Sequence, residues 1–323
     1  MTQFNSPAAA PLAVSSLIRE IGRGKHGARD LSRQDAYALY DAMQSGQVAD
    51  LELGAILIAL RIKGESVDEI AGFLQAAQDR IPPLQAPVRE YAPILIPSYN
   101  GARKVANLTP LLALLLARAG APVLMHGVTQ DPGRVTSADI LQAMGYTLAD
   151  TAGQAQQQLE QHNLAFMPVA SLAPQMASLL NLRQRLGLRN STHTLVKIVQ
   201  PFAQPALRLC SYTHPEYLEM LGQYFTTQAP VAAGDVFLMR GTEGETVANA
   251  KRANQIDWFH QGQRSVMVEK QAPVDEWPPM PAERDAATTA QWIAAALRGE
   301  VPIPEPIQVQ VAHCLQVART LRP

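Results

Sequence analysis

The chain has 323 residues, a formal net charge of −1, 47% apolar residues and only 6% aromatic ones. That length accommodates one large or two unequal domains with a sizeable core, and near-neutrality excludes a uniformly basic protein. No run of about 18 apolar residues is present. The two cysteines, Cys210 and Cys314, fit no metal-ligand spacing, and PAAAPLAV lacks the preceding cations of a signal peptide. The expectation is a soluble cytoplasmic protein without membrane contact.

Residues 1–12 are Ala/Pro-rich and read as a flexible tail. From 13 to 88 the pattern is helical throughout. Leu17, Ile18 and Ile21 share a face, Asp30-Leu-Ser-Arg is a capping start for Gln34–Ser45, Leu51–Lys63 is a long apolar helix, and Gly64-Glu-Ser66 restarts another through Gln78. This predicts a small all-α N-terminal domain, completed by helices within 174–190, with Pro82-Pro83 and Pro87 as its exit linker. Arg61 and Lys63 end an apolar helix, where cations complement the helix dipole.

From 89 to 323 strand and helix patterns alternate. Strands are expected at Pro93–Ile96, Pro122–His126, Asn163–Val169, Gln204–Tyr212, Asp235–Met239 and Gln263–Lys270. Helices are expected at Thr109–Ala119, Thr136–Met144, Ser171–Leu186, Tyr217–Gln228, Thr288–Arg298 and Val309–Leu321. Such alternation implies an α/β domain with a mostly parallel central sheet.

The stretch ILIPSYNGARKVANLTP, 94–110, is the most informative. An apolar strand breaks into Ser98-Tyr99-Asn100-Gly101, passes Arg103 and Lys104, and enters an apolar helix. α/β proteins hold phosphate at such strand–loop–helix junctions, where backbone N–H groups converge on an anion. The loop has one glycine and no acid to hold a metal, so it suits anions without metal-assisted chemistry.

Charge is unevenly spread. Residues 161–215 carry five cations (Arg183, Arg185, Arg189, Lys197, Arg208) and no acid, and residues 91–130 carry three and none. This gives a locally positive surface on a neutral chain, or is chance in a sequence that is 17% charged.

The segment AYALYDAMQSGQVADLELGAILIALRIKGESVDEIAGF resembles the helical dimerisation domain of the anthranilate phosphoribosyltransferase and nucleoside phosphorylase families. The strand–loop–helix, His126-Gly127 and LGLRN at 186–190 extend the likeness over essentially the whole chain. SYNGARK, HGxxxDPxR, GxRNSxHTLxK, SYTHPEY and GTEGE are similar to one branch, the anthranilate phosphoribosyltransferase-like nucleic-acid-binding proteins. That resemblance implies a homodimer, joined through the N-terminal helices, that binds single- or double-stranded DNA or RNA with little sequence preference and lacks the parent enzymes' activity; no cofactor or metal is expected in that branch.

The resemblance also implies what is altered. The enzymes bind the pyrophosphate of phosphoribosyl pyrophosphate with Gly-Thr-Gly-Gly-Asp, where this chain has Pro97-Ser98-Tyr99-Asn100-Gly101. Their Lys-His-Gly-Asn-Arg is Met125-His126-Gly127-Val128-Thr129 here. Thr246 and Val247 stand at the magnesium-binding Asp-Glu pair, with Glu243 and Glu245 nearby, and Val196-Lys197 replaces a Gly-Pro. The vestigial phosphate loop comprises Ser98, Tyr99, Asn100, Gly101, Asn107, Thr109, His126 and Gly127, with cradle, cations and metal ligands expected to be lost.

Nucleic-acid contacts are expected from Arg19, Arg23, Lys25 and Arg29; from Arg103 and Lys104; from Arg183, Arg185, Arg189, His193 and Lys197; and from Lys251 and Arg252. Arg185 and Arg189 are expected to share a helical face. His126 is expected to bond backbone rather than act as an acid or base. Tyr99 either stacks on a base or packs, and the Gly241–Glu245 loop holds a cation, lines a vestigial site or repels phosphate. The competing expectation is a magnesium-dependent pentosyltransferase using phosphoribosyl pyrophosphate with an altered acceptor.

Overall fold

The computed structural model describes residues 12–24, 26–274 and 277–321. All of the expected tail except Leu12 lies outside the described residues, as does Lys25.

Four helices open the chain: α1 (Val14–Ile21), α2 (Arg33–Gln44), α3 (Asp50–Lys63) and α4 (Val67–Gln78). Their starts follow local chemistry. The Ser32 hydroxyl accepts the Asp35 N–H, and Ser66 forms a capping box with Glu69. Leu39, Tyr40, Ile56, Leu57, Ile70 and Phe73 are buried and pack these helices together.

The α/β part contains β1 (Ile94–Ser98), α5 (Thr109–Arg118), β2 (Val123–Gly127), α6 (Ser137–Ala143), α7 (Ala152–His162) and β3 (Leu164–Pro168). Next come the short α8 (Val169–Leu172), α9 (Pro174–Leu186), α10 (Thr192–Leu195), β4 (Leu207–Tyr212) and α11 (Pro215–Thr227). The chain continues through β5 (Val236–Arg240), β6 (Ile256–His260), β7 (Gln263–Val268), α12 (Ala286–Leu297) and α13 (Glu305–Thr320). The expected strands and helices are present with shifted ends; α7, the short α10 and β6 are additional. The fold is therefore the expected one, a helical N-terminal domain and a larger α/β domain.

The sheet has seven strands in the order β3-β2-β1-β4-β5-β6-β7. β1 to β5 are parallel, and β6 and β7 add an antiparallel edge. Alternate strand residues feed opposite layers. Leu95, Met167, Cys210 and Leu238 join the core that includes the N-terminal helices, while Ile94, Ile96, Leu209 and Phe237 join the core under α5, α12 and α13. Leu179 and Leu180 of α9 also pack into the first core.

This order reverses direction at β1, between β2 on one side and β4 on the other. Open α/β sheets place ligands beyond the strand C-termini at such a switch point. The helical layer is tied beside it. Gln78 and Gln200 exchange side chain–backbone hydrogen bonds at 2.6 and 2.9 Å, and the Tyr40 hydroxyl meets Thr192 Oγ1 at 3.0 Å.

Candidate active site

At the C-terminal end of β1, the backbone N–H groups of Asn100 and Gly101 donate to Glu245 Oε1 at 2.8 and 2.7 Å. The next turn repeats the pattern. Arg103 N donates to Glu243 Oε2 at 3.1 Å, and Lys104 N and Val105 N donate to Glu243 Oε1 at 2.7 and 2.9 Å. Five backbone donors of one loop thus converge on two carboxylates. These amides form a cradle that holds carboxylates of the chain itself, and Pro97 before it contributes no N–H.

The remaining loop residues hold this shape. Ser98 Oγ donates to Ser137 Oγ at 2.8 Å, Asn107 Nδ2 donates to Ser137 Oγ at 3.2 Å, and Asn107 Oδ1 accepts the Thr109 N–H at 3.1 Å. Thr109 Oγ1 lies 3.5 Å from Glu245 Oε2. Gly127 is fixed by sterics, because a Cβ there would lie 1.8 Å from the Ser98 carbonyl oxygen.

His126 corrects its expectation: the Tyr99 hydroxyl, not backbone, meets its Nδ1 at 2.7 Å. Burial pushes the His126 pKa down to about 3, so the ring that meets the phenol is neutral. The same burial raises the Tyr99 pKa. Tyr99 is packed in the core and does not offer its ring to a base.

The other wall of the site is basic. A small cleft of about 80 Å³ is lined by Arg61 from α3, by Arg189, His193 and Lys197 around α10, and by Ser211, Thr213, His214 and Tyr217 at and after the end of β4. No acid is among its lining residues. Arg189 Nη2 donates to Asn100 Oδ1 at 2.6 Å and so joins the basic wall to the amide cradle. Lys197 Nζ has only two distant contacts, Ser211 Oγ and the Gly244 carbonyl, both at 3.4 Å. Burial lowers its pKa to about 8, against the opposing charge of Glu245.

Arg189 is likewise pulled down by burial and by Arg183 and Arg134. Burial and Arg189 lower the His193 pKa to about 3, which corrects its placement among the cations; its Nδ1 faces Asn190. Arg61 lies in the last turn of α3, as expected, and also donates to the Tyr217 hydroxyl at 3.3 Å across the cleft.

The other basic candidates do not join this cleft. Arg23 and Arg29 pair with Glu20 at 2.7 and 3.8 Å, and Arg19 is exposed on α1. Arg183 pairs with Asp131 at 3.0 Å. Arg185 is exposed on α9, whose helix ends at Leu186, so Arg189 does not share its helical face. The Arg103 and Lys104 side chains are exposed while their amides hold Glu243. Lys251 lies 3.8 Å from the centre of the Trp277 ring, and Arg252 beside it is half-buried. Sequence reasoning missed Arg61, Ser211, Thr213, His214 and Tyr217 as site residues, although SYTHPEY contained the last four.

Magnesium, which the resemblance implies, is not matched by the donors present. Among the described residues no group of three His, Cys, Asp or Glu side chains gathers. Thr246 and Val247 supply no carboxylate, and Glu243 and Glu245 are spent on backbone amides. The residues do not fit a protein-held magnesium ion.

Residues 15–81 match the helical bundle domain of a glycosyl transferase family, and residues 100–276 match its a/b domain. The chain belongs to this family. Within it the chain is anthranilate phosphoribosyltransferase-like. The uncharacterized protein YbiB of Escherichia coli (strain K12) is 48% identical over 300 residues, 93% of this chain and 92% of that protein. The anthranilate phosphoribosyltransferase of Persephonella marina is 30% identical over 195 residues, 60% of this chain and 55% of that enzyme's length. The anthranilate phosphoribosyltransferase from Saccharomyces cerevisiae in complex with PRPP and Mg superposes with a TM-score of 0.72 at 13% identity, covering 95% of this chain and 89% of that one; it shares the fold.

These relatives overturn the expectation of sequence-independent nucleic-acid binding. Those with a named activity are anthranilate phosphoribosyltransferases, and the structure splits the basic candidates between ion pairs, exposed positions and one open cleft. Among the described residues no helix is long and apolar enough to cross a membrane.

Proposed function

We propose that this member of the glycosyl transferase family performs pentosyl transfer, with phosphoribosyl pyrophosphate as donor and an anionic acceptor other than anthranilate. The observation that carries the reading is the set of five backbone N–H groups converging at the end of β1. Transfer breaks the bond from the pentose to pyrophosphate, so negative charge grows on the leaving group. Fixed backbone donors stabilise such charge without reorganising. The family relatives named for phosphoribosyl transfer support this choice of reaction.

On the acceptor side, Arg189, Lys197 and Arg61 face a cleft without acids. Arg189 reaches Asn100 of the cradle, so an acid held there lies beside the donor site. Lys197 supplies a charge that the family's Gly-Pro lacks, which favours an acceptor more acidic than anthranilate. No step is assigned to magnesium: Glu243 and Glu245, the carboxylates nearest the cradle, hold backbone amides, and among the described residues no three acidic, histidine or cysteine side chains gather.

Calorimetric titration with phosphoribosyl pyrophosphate, with and without magnesium, tests the donor assignment. The reading requires saturable binding that an Arg189→Ala change weakens. Absence of binding by wild-type protein and by Glu243→Gln/Glu245→Gln, which removes the charges now held by the cradle amides, would reject it.

A homodimer is proposed on a separate ground. Leu51 and Ile62 of α3 are 86% and 67% exposed beside an apolar groove that includes Ile18 and Ile58. Sedimentation of wild type against Leu51→Asp should show a dimer converted to a monomer; identical monomers would refute it.

A further inference from the structure

The two carboxylates in the cradle belong to one small device. Thr242 to Glu245 form a tight turn, with the Thr242 N–H donating to the Glu245 carbonyl and the Glu245 N–H to the Thr242 carbonyl, each at 3.0 Å. Its central residues have positive φ, 53° at Glu243 and 94° at Gly244. This is the pattern of a type I′ turn, and glutamate is an unfavourable choice for its first central position. The turn hangs from the end of β5, beside β4 at the switch point.

The turn is fastened to the cradle by more than its carboxylates. The Gly244 carbonyl accepts from Asn100 Nδ2 at 2.7 Å and from Ser211 Oγ at 2.6 Å. Asn100 in turn is held by Arg189. Glu245 is 1% exposed, and a Cβ on Gly244 would lie 2.4 Å from Asn100 Nδ2. A buried carboxylate accepting two backbone N–H bonds, with a second accepting three, takes up the donors that phosphate oxygens would use.

We infer that the Gly241–Glu245 turn is a built-in plug: Glu243 and Glu245 stand in for the oxygens of a diphosphate, and a diphosphate ligand enters only by displacing them. The contacts stand on their own, whereas the identity of the displaced ligand rests on the pentosyl-transfer reading. The plug makes the described state a closed one. Ligand and turn compete for the same amides, so apparent affinity is lowered by the fraction of molecules in which the turn is out. Displacement also leaves Lys197 and Arg189 facing the incoming anion in place of Glu245.

The test is titration of inorganic pyrophosphate into wild-type protein and into Glu243→Gln/Glu245→Gln. The amide side chains keep the size of the originals and lose the charge. A second variant, Gly244→Ala, keeps both carboxylates and forces the turn away from Asn100. Both should bind pyrophosphate about tenfold tighter than wild type or better. In wild type, hydrogen exchange with excess pyrophosphate should become faster in 241–247 and slower in 98–105.

Equal affinity of wild type and both variants, or no binding by any, would overturn the plug. Tight pyrophosphate binding by the variants with no consumption of phosphoribosyl pyrophosphate on any acceptor would leave the plug standing and reject pentosyl transfer.

Discussion

Lys63 and Lys197 are both withdrawn from solvent, and their surroundings differ in one respect. Lys63, with its side chain 7% exposed, meets Asp30 at 2.6 Å and the fully buried Glu69 at 2.7 Å. Burial pulls its pKa down, but these two carboxylates outweigh burial and leave it raised. Lys197 has no carboxylate at ion-pair distance, only a hydroxyl and a carbonyl at 3.4 Å, and its pKa is lowered to about 8. A buried cation matched by acids belongs to the fold of the helical domain. One left without a partner beside an open cleft is a place for an anion from outside.

Removing each charge should therefore have opposite consequences. Lys63→Met leaves Glu69 buried without its partner and should cost about 3–5 kcal/mol in chemical denaturation, the loss typical of breaking a buried pair. A loss below about 1 kcal/mol would mean that the pair is wetter than its geometry implies.

Acid should act next in size, through His126. Its folded pKa of about 3 lies below the unfolded value near 6.5, so between these limits the unfolded state holds the extra proton. His126 alone should lower stability by about 1.4 kcal/mol per pH unit as pH drops through that window, and His193, whose pKa is also lowered to about 3, adds a second share. His126→Gln should flatten the slope, and an unchanged slope would assign acid sensitivity elsewhere.

Lys197→Met should leave the melting temperature unchanged or higher while weakening pyrophosphate binding about tenfold, the loss expected for one charge-assisted contact. In wild type, binding should weaken as pH rises through about 8, where Lys197 loses its proton. Arg189 stays charged and His193 is already neutral there. The variant should lose that pH dependence. A destabilised variant with unchanged affinity would make Lys197 structural, like Lys63.

Much of the fold is legible because its signals are local. Ser32, Ser66 and Thr136 cap the helices that follow them, and the apolar runs at 94–96 and 123–125 become buried strands. The elements missed lack a clear apolar pattern, although Thr151 caps α7 as Thr136 caps α6. α7 is AGQAQQQLEQH, with only Ala155 and Leu159 buried, so no apolar stripe marks it. β6 carries a buried Asp257, which pairs with Arg264 across the hairpin at 3.0 Å, so its pattern reads as polar until the partner strand is known.

The site was harder to read, because its chemistry is on the backbone. The amides of Asn100, Gly101, Arg103, Lys104 and Val105 donate whatever side chains they carry, and the Tyr99 ring turns to His126 rather than into the loop. The contacts that fill the cradle join residues about 140 positions apart. No local pattern encodes them.

The measurement closest to the central claim is release of pyrophosphate from phosphoribosyl pyrophosphate by Glu243→Gln/Glu245→Gln, beside wild type, against a panel of small acidic acceptors that includes anthranilate. The account predicts release with an acid other than anthranilate, faster in the variant. No release by either protein with any acceptor, while the donor demonstrably binds, would contradict it.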